Sequence, residues 1–346
     1  MPNALQTIVR LFILATLMSP IACSPSTDSS AVDSPASASS AADASVTDAG
    51  PAETRPDQVA SNPAASDRDE THWAETDAAW HAERIERLTA PEGWLSLVGF
   101  HWVEPGEHRI GSGPDRDIRL AVGPERLGLI RLDDDGVRFT PEPGVVARLK
   151  DVPLDGEILL ATSADGQPDR VHFDDGQASF EALVRGGRIA LRVRDARAHT
   201  RTGFVGIERF DPDPSWRFEA RFEPHPAGKT LDIANVLGQL EPMPNQGVLV
   251  FTRDGREHRL ETVDEGDGRL FVIFADRTNS SDTYGAGRFL YADPPDDNGR
   301  SVLDFNRAYN PPCAFTAHST CPLPPPENRL DVRVEAGERR YTGPTT

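Results

Sequence analysis

The chain has 346 residues, 38% of them hydrophobic and 26% charged, with a formal net charge of −19. That length supports one or two domains with a sizeable core, and the acidic balance argues against nucleic acid and anionic lipid headgroups as partners, since both would be repelled. Thirty prolines and 28 glycines suit many short strands better than long helices.

Residues 1–23 read as a leader. Arg10 supplies one positive charge, Leu11 to Leu17 form an apolar run, and Pro20-Ile-Ala-Cys23 closes it. The run falls short of the about 20 residues that a membrane-spanning helix needs. Its ending resembles the lipobox of bacterial lipoproteins, although Pro20 stands where leucine is usual. That resemblance implies lipidation at Cys23, and Ser24 behind it implies the outer membrane, with the protein facing the periplasm. Residues 24–70 carry nine acidic and two basic residues and no aromatic, the composition of a disordered tether.

A helix is predicted from about Thr71 to Leu88, with Trp73, Trp80, Ile85 and Leu88 on one face packed against a sheet and Pro91 and Gly93 ending it. From Trp94 the pattern turns to short β-rich runs: Trp94–Val103, Ile118–Val122, Leu127–Leu132, Val137–Thr140, Glu157–Ala161, Ser179–Val184 and Ile189–Val193. Asp135-Gly136, Asp155-Gly156, Asp165-Gly166, Asp175-Gly176 and Gly186-Gly187 supply turn residues between them. A second series follows at Gly203–Arg209, Trp216–Phe222, Gly247–Arg253, Arg256–Val263 and Arg269–Ala275, with Asp254-Gly255 the strongest hairpin signal. The expected fold is all-β: two packed β-sandwich or barrel-like units, over residues 71–200 and 201–346, preceded by one short helix. Gly106 to Leu120 weakly resembles the opening of a forkhead-associated sandwich, but Ser112 replaces that family's arginine and no Ser-x-x-His follows, so phosphopeptide binding is not implied.

Signatures of serine hydrolases, zinc proteases, P-loops and dinucleotide folds are missing, and no cofactor or metal is called for. Asp133-Asp-Asp-Gly136 reads as a hairpin turn and not a calcium loop. Reactive groups concentrate instead between Asp276 and Asn328, where Asp276, Thr278, Tyr284, Arg288, Asp304, Asn306, Arg307, Tyr309 and Asn310 crowd among strong apolar residues. Charges so near a core need partners. Three readings fit: an arginine–aspartate network that holds a loop down, a pocket for a small polar, anionic or glycan-like ligand, or a cofactor-independent hydrolase using carboxylates such as Asp304 and Asp276. A structural or assembly lipoprotein without a small-molecule site is the remaining alternative.

Cys313 and Cys321 form an even pair once Cys23 is lipidated, which in an oxidising compartment favours a disulfide; with His318 they supply only three zinc ligands. Arg185-Gly-Gly-Arg-Ile-Ala-Leu-Arg-Val-Arg-Asp195 alternates, placing Arg188, Arg192 and Arg194 opposite Ile189, Leu191 and Val193. This basic ridge is expected to meet acidic loops of the same chain, with anion binding as the lesser reading.

Gly93-Trp-Leu-Ser-Leu-Val-Gly-Phe-His-Trp102, Arg185-Gly-Gly-Arg188, Arg192-Val-Arg-Asp195 and above all Asp304-Phe-Asn-Arg-Ala-Tyr-Asn-Pro-Pro-Cys-Ala-Phe315, with Thr320-Cys-Pro-Leu-Pro-Pro325, stand together over roughly Trp80 to Glu338. In these motifs the chain resembles a bacterial family known as domain of unknown function 1684. The resemblance implies no activity.

Overall fold

The computed structural model describes residues 63–346; Cys23, the leader and most of the expected tether lie outside the described residues. Helix α1 runs Pro63–Thr89 and so starts inside the segment expected to be tether. Proline suits a first helical turn because its missing N–H has no intrahelical partner to lose. Trp73 Nε1 donates to Asp304 Oδ2 at 2.8 Å, Asp77 pairs with Arg209, and Arg84 Nε meets Glu338 Oε1 at 3.1 Å. Only its last turn is apolar, where Ile85 and Leu88 join Leu95, Phe315 and Tyr341 in a small cluster.

Behind the helix, two sheets face each other around one core. The six-stranded sheet runs in the order Leu97–Val103, Arg188–Asp195, Ala178–Arg185, Arg170–Phe173, Arg148–Leu149, Val152–Pro153. The five-stranded sheet runs Ile118–Arg119, Gly106–Gly111, Gly128–Asp133, Gly136–Pro141, Ile158–Leu160. Phe139 and Phe180 meet edge-on between them at 5.1 Å, with Ile110, Ile130, Val171 and Leu191 around.

The C-terminal portion has a four-stranded sheet in the order Arg256–Thr262, Gly247–Arg253, Arg217–Pro224, Arg300–Asp304, and two hairpins, Thr230–Ala234 with Leu240–Pro244 and Leu270–Phe274 with Arg288–Ala292. Its core gathers Trp216, Leu249, Phe251, Val272, Phe274, Leu290 and Phe305. The architecture is therefore mostly β-strand in several sheets, none closed into a barrel.

Asp254 and Gly255, at φ 52° and 74°, make the predicted two-residue hairpin, closing the Arg253–Arg256 pair as left-handed turn residues do. Asp155-Gly156 is a correction: neither residue takes a positive φ, and the segment crosses from one sheet to the other. Gly203–Arg209 is a second. It forms no strand beyond a single bridge from Arg209 to Glu338, because Phe204 and Ile207 are drawn into the cluster at the end of α1. The expected strand from Trp94 begins at Leu97, after a 3-10 turn over Trp94–Ser96.

Candidate functional site

The C-terminal motif divides at Asp304, the last residue of an edge strand. Its carboxylate caps the 3-10 turn Phe305–Arg307, accepting from Asn306 N at 3.0 Å and Asn306 Nδ2 at 2.8 Å in addition to Trp73. The turn sends Phe305 into the core, fully buried against Trp216 and Phe274, while Arg307 faces a surface cleft. Tyr309 is then fixed by reciprocal backbone bonds with Phe289 at 2.9 and 2.8 Å.

Several expected site residues belong to a closed network. Arg288 is fully buried; one nitrogen meets Asp276 Oδ2 at 3.0 Å and Val334 O at 2.9 Å, and the other donates to Ala336 O. Asp276 Oδ1 accepts from Thr278 Oγ1 at 2.6 Å, Thr278 N at 2.8 Å and Val334 N at 3.1 Å. Asn306 clasps the backbone of Asp213 by donating to its carbonyl and accepting from its N–H, both at 2.9 Å. Asn310 N donates to Glu338 Oε2 at 2.7 Å. Tyr284 donates to Cys313 O at 3.1 Å, and burial pushes its hydroxyl up to about 12. These side chains hold the loop.

Asp304, Arg307 and Tyr309 instead line an open cleft of three adjoining lobes. The largest, about 560 Å³, is walled by Trp80 and Arg84 of α1, Trp94, Arg194, Arg269, Tyr291, Arg307 and Tyr309. The second, about 470 Å³, shares Tyr291 and Arg307 with it and adds Trp73, Arg217 and Asp304. The third, about 300 Å³, shares Arg84, Trp94, Tyr291 and Tyr309 and adds Arg185, Arg192, Glu265 and Cys321.

Electrostatically, arginines outnumber the carboxylates that line the cleft, which are Glu92, Glu265, Asp293 and Asp304. Glu181, itself buried, serves Arg170 at 2.8 Å, Arg194 at 2.8 Å and Arg192 at 3.6 Å. Burial works to raise its carboxyl, but Arg194 and Arg170 outweigh that and hold it below the usual range. Burial also brings Arg192 down to about 10, with Arg194 and Arg185 adding like-charge repulsion, and it lowers Arg194. Neither Arg192 Nε nor Arg194 Nε has an acceptor among the described residues, and the same holds for Arg307 Nε and for Arg288 Nε in the closed network. Arg185 bonds only neutral groups, Thr320 Oγ1 at 2.9 Å, Val184 O at 2.7 Å and Ser163 Oγ at 3.4 Å. Guanidinium groups without full complements of acceptors match carboxylate or phosphate oxygens.

Cys313 and Cys321 lie side by side beside this cleft as free thiols, so the expected disulfide is not formed in this structure. Cys313 N donates to Cys321 Sγ at 3.1 Å, and Ser319 Oγ lies 3.0 Å from Cys313 Sγ. Donation from the Cys321 thiol, together with the Ser319 hydroxyl, outweighs burial and lowers the Cys313 thiol to about 6; the same bond and burial raise Cys321.

Sequence reasoning therefore located one wall. Missing from it were Arg84, Trp80 and Trp94, whose periodicity reads as ordinary packing, and Tyr291 and Arg269, which flank a hairpin. The alternating arginines were visible, yet the ridge splits: Arg188 turns outward to Glu104 at 2.6 Å while Arg192 and Arg194 are buried at the cleft.

A β-rich protein with a preformed cationic cleft is the class that fold and site define. Residues 202–339 match the family model described as "Protein of unknown function (DUF1684)", so the chain is similar to that family through its C-terminal portion. The match is narrower than the resemblance from Trp80 onward, since the Gly93 and Arg185 motifs lie outside it. An uncharacterized protein of Haloarcula marismortui, solved by solution NMR, is 33% identical over 39% of this chain and 77% of its own, with a TM-score of 0.34. No curated protein matches the chain.

Proposed function

We propose that the protein is a bacterial envelope lipoprotein, held by a lipid on Cys23 at the periplasmic face of the outer membrane, whose β-rich part binds a small anionic ligand in the arginine cleft. The observation that carries the binding reading is the surplus of guanidinium over carboxylate: eight arginines line the three lobes against Glu92, Glu265, Asp293 and Asp304, Arg185 and Arg307 have no acidic partner among the described residues, and Arg192 and Arg194 share Glu181 with Arg170, which also pairs with Glu92. Arg185 and Arg307 are half-buried, whereas Arg192 and Arg194 are buried, and placing a cation out of water costs several kcal/mol unless enough opposite charge is near. The hydrolase alternative draws less support, because Asp276 is sealed against Arg288 and Asp304 is already the acceptor for three donors.

Calorimetric titration of anions into wild type and Arg307→Met tests the binding reading. Saturable binding that weakens at least about tenfold in the variant is expected; binding of equal strength in both would overturn it. For the anchor, Cys23→Ser should release the protein from membranes, and persistent membrane association would sink that part. In the oxidising envelope Cys313 and Cys321 are expected to close a disulfide, giving two electrons and two protons to the compartment's thiol oxidant, read as a mass lower by two hydrogen atoms in non-reducing mass spectrometry of protein isolated with thiols blocked.

A further inference from the structure

The two largest lobes of the cleft share three residues, Tyr291, Asp293 and Arg307. Two of these are charged, opposite in sign and unanswered. Arg307 makes no ion pair among the described residues, and its Nε is buried without an acceptor there. Asp293 follows the strand Arg288–Ala292, and its carboxylate neither pairs with a cation nor accepts a hydrogen bond among the described residues. The two groups therefore stand too far apart to satisfy each other, yet they border the same space.

Apolar surface lies to either side of this waist. Trp80 lines the first lobe and Trp73 the second, seven residues apart on α1 and so on one helix face. Trp73 is held by its donation to Asp304 at 2.8 Å. No guanidinium covers either indole among the described residues; the cation–π contacts of tryptophan fall on Trp94, Trp102 and Trp216 instead. A plain anion would meet Arg307 but be repelled by Asp293 beside the same space, and a plain cation would meet the reverse. A molecule that brings both signs gives each group a partner, and its carbon skeleton can rest on an indole.

Resting on the reading of the cleft as an anion site, we infer that its ligand is an amino acid: the carboxylate is the anionic group and meets Arg307, the ammonium meets Asp293, and the side chain enters the lobe of Trp80 or of Trp73. Asp293 is the residue that distinguishes such a ligand from a plain carboxylic acid.

The test is calorimetry of the full chain at neutral pH with pairs that differ only in the amino group: phenylalanine and 3-phenylpropionate, leucine and 4-methylpentanoate, glutamate and glutarate, with inorganic phosphate and AMP as further anions. In at least one pair the amino acid should bind about tenfold or more tighter than its deamino partner. Asp293→Asn should then act in opposite directions, weakening the amino acid about tenfold and leaving the deamino acid equal or tighter, since one loses a partner and the other a repulsion. Asp293 is exposed, so this variant keeps the fold. Asp297→Asn removes an exposed carboxylate four residues on, outside the lobes, and should leave both affinities unchanged. Arg307→Met should weaken both members of the pair. Equal affinity within every pair, an advantage that survives Asp293→Asn, an equal loss in Asp297→Asn, or binding of phosphate or AMP alone would overturn the inference while leaving an anion cleft. Binding of none of these compounds would overturn both.

Discussion

Arg288 and Arg192 are both buried, both on strands, and meet opposite surroundings. Around Arg288 the C-terminal loop folds back to offer a carboxylate and the carbonyls of Val334 and Ala336, so its charge is answered within the chain. Around Arg192 there is one paired carboxylate, at 3.6 Å and shared with two other arginines, and an open lobe that Glu265 also lines. The contrast teaches that residue type says little about role in this protein; the count of acceptors around each guanidinium separates what holds the fold from what awaits a ligand.

The strongest way to break that comparison is to remove one partner on each side. Asp276→Ala strands Arg288 in the core and is expected to cost about 3 to 5 kcal/mol in urea unfolding. Arg192→Met, which takes away a poorly answered charge, should leave stability unchanged or raise it. Similar losses in the two variants would show that Arg192 is as structural as Arg288.

A smaller effect is expected at Asp304. Asparagine has only one oxygen, so Asp304→Asn sets an amide N–H against either Trp73 Nε1 or the two Asn306 donors, and about 1 to 3 kcal/mol should be lost. Lost turnover at unchanged stability would instead favour the hydrolase reading and remove Asp304 from the structural side.

The mildest effect is the titration of Cys313 in reduced protein. The Cys321 and Ser319 contacts lower its thiol to about 6 in the folded protein, against about 9 for an ordinary cysteine, so the native state binds its proton less tightly than the unfolded chain. The resulting stability is complete above pH 9 and is lost as pH falls through 6. Alkylation of Cys313 should accordingly have its midpoint near pH 6, with Cys321 unreactive. A midpoint near 9 would show that the Ser319 and Cys321 contacts do not hold the thiolate.

The all-β class and the Asp254-Gly255 hairpin were legible, as was the closeness of the polar stretch after Asp304 to a core, because alternation and turn chemistry are local properties. Which of that stretch's polar residues would be sealed was not. Asp276 and Arg288 look no more structural in sequence than Asp304 and Arg307, since their partners at Val334 and Ala336 arrive from a segment more than forty residues on. Likewise Trp80 and Arg84 have the spacing of an ordinary amphipathic helix, and only the tie of Arg84 to Glu338 and Asn310 O turns that face over the cleft.

By itself, then, the sequence determined strand content, turn positions, the acidic balance and the location of a polar motif against a core, all set by neighbours within a few residues. The tertiary structure alone decided which arginines are answered and which are not, because acceptors are delivered by segments distant in the chain, and charge balance at a site is a sum over everything that folding brings within a few ångströms.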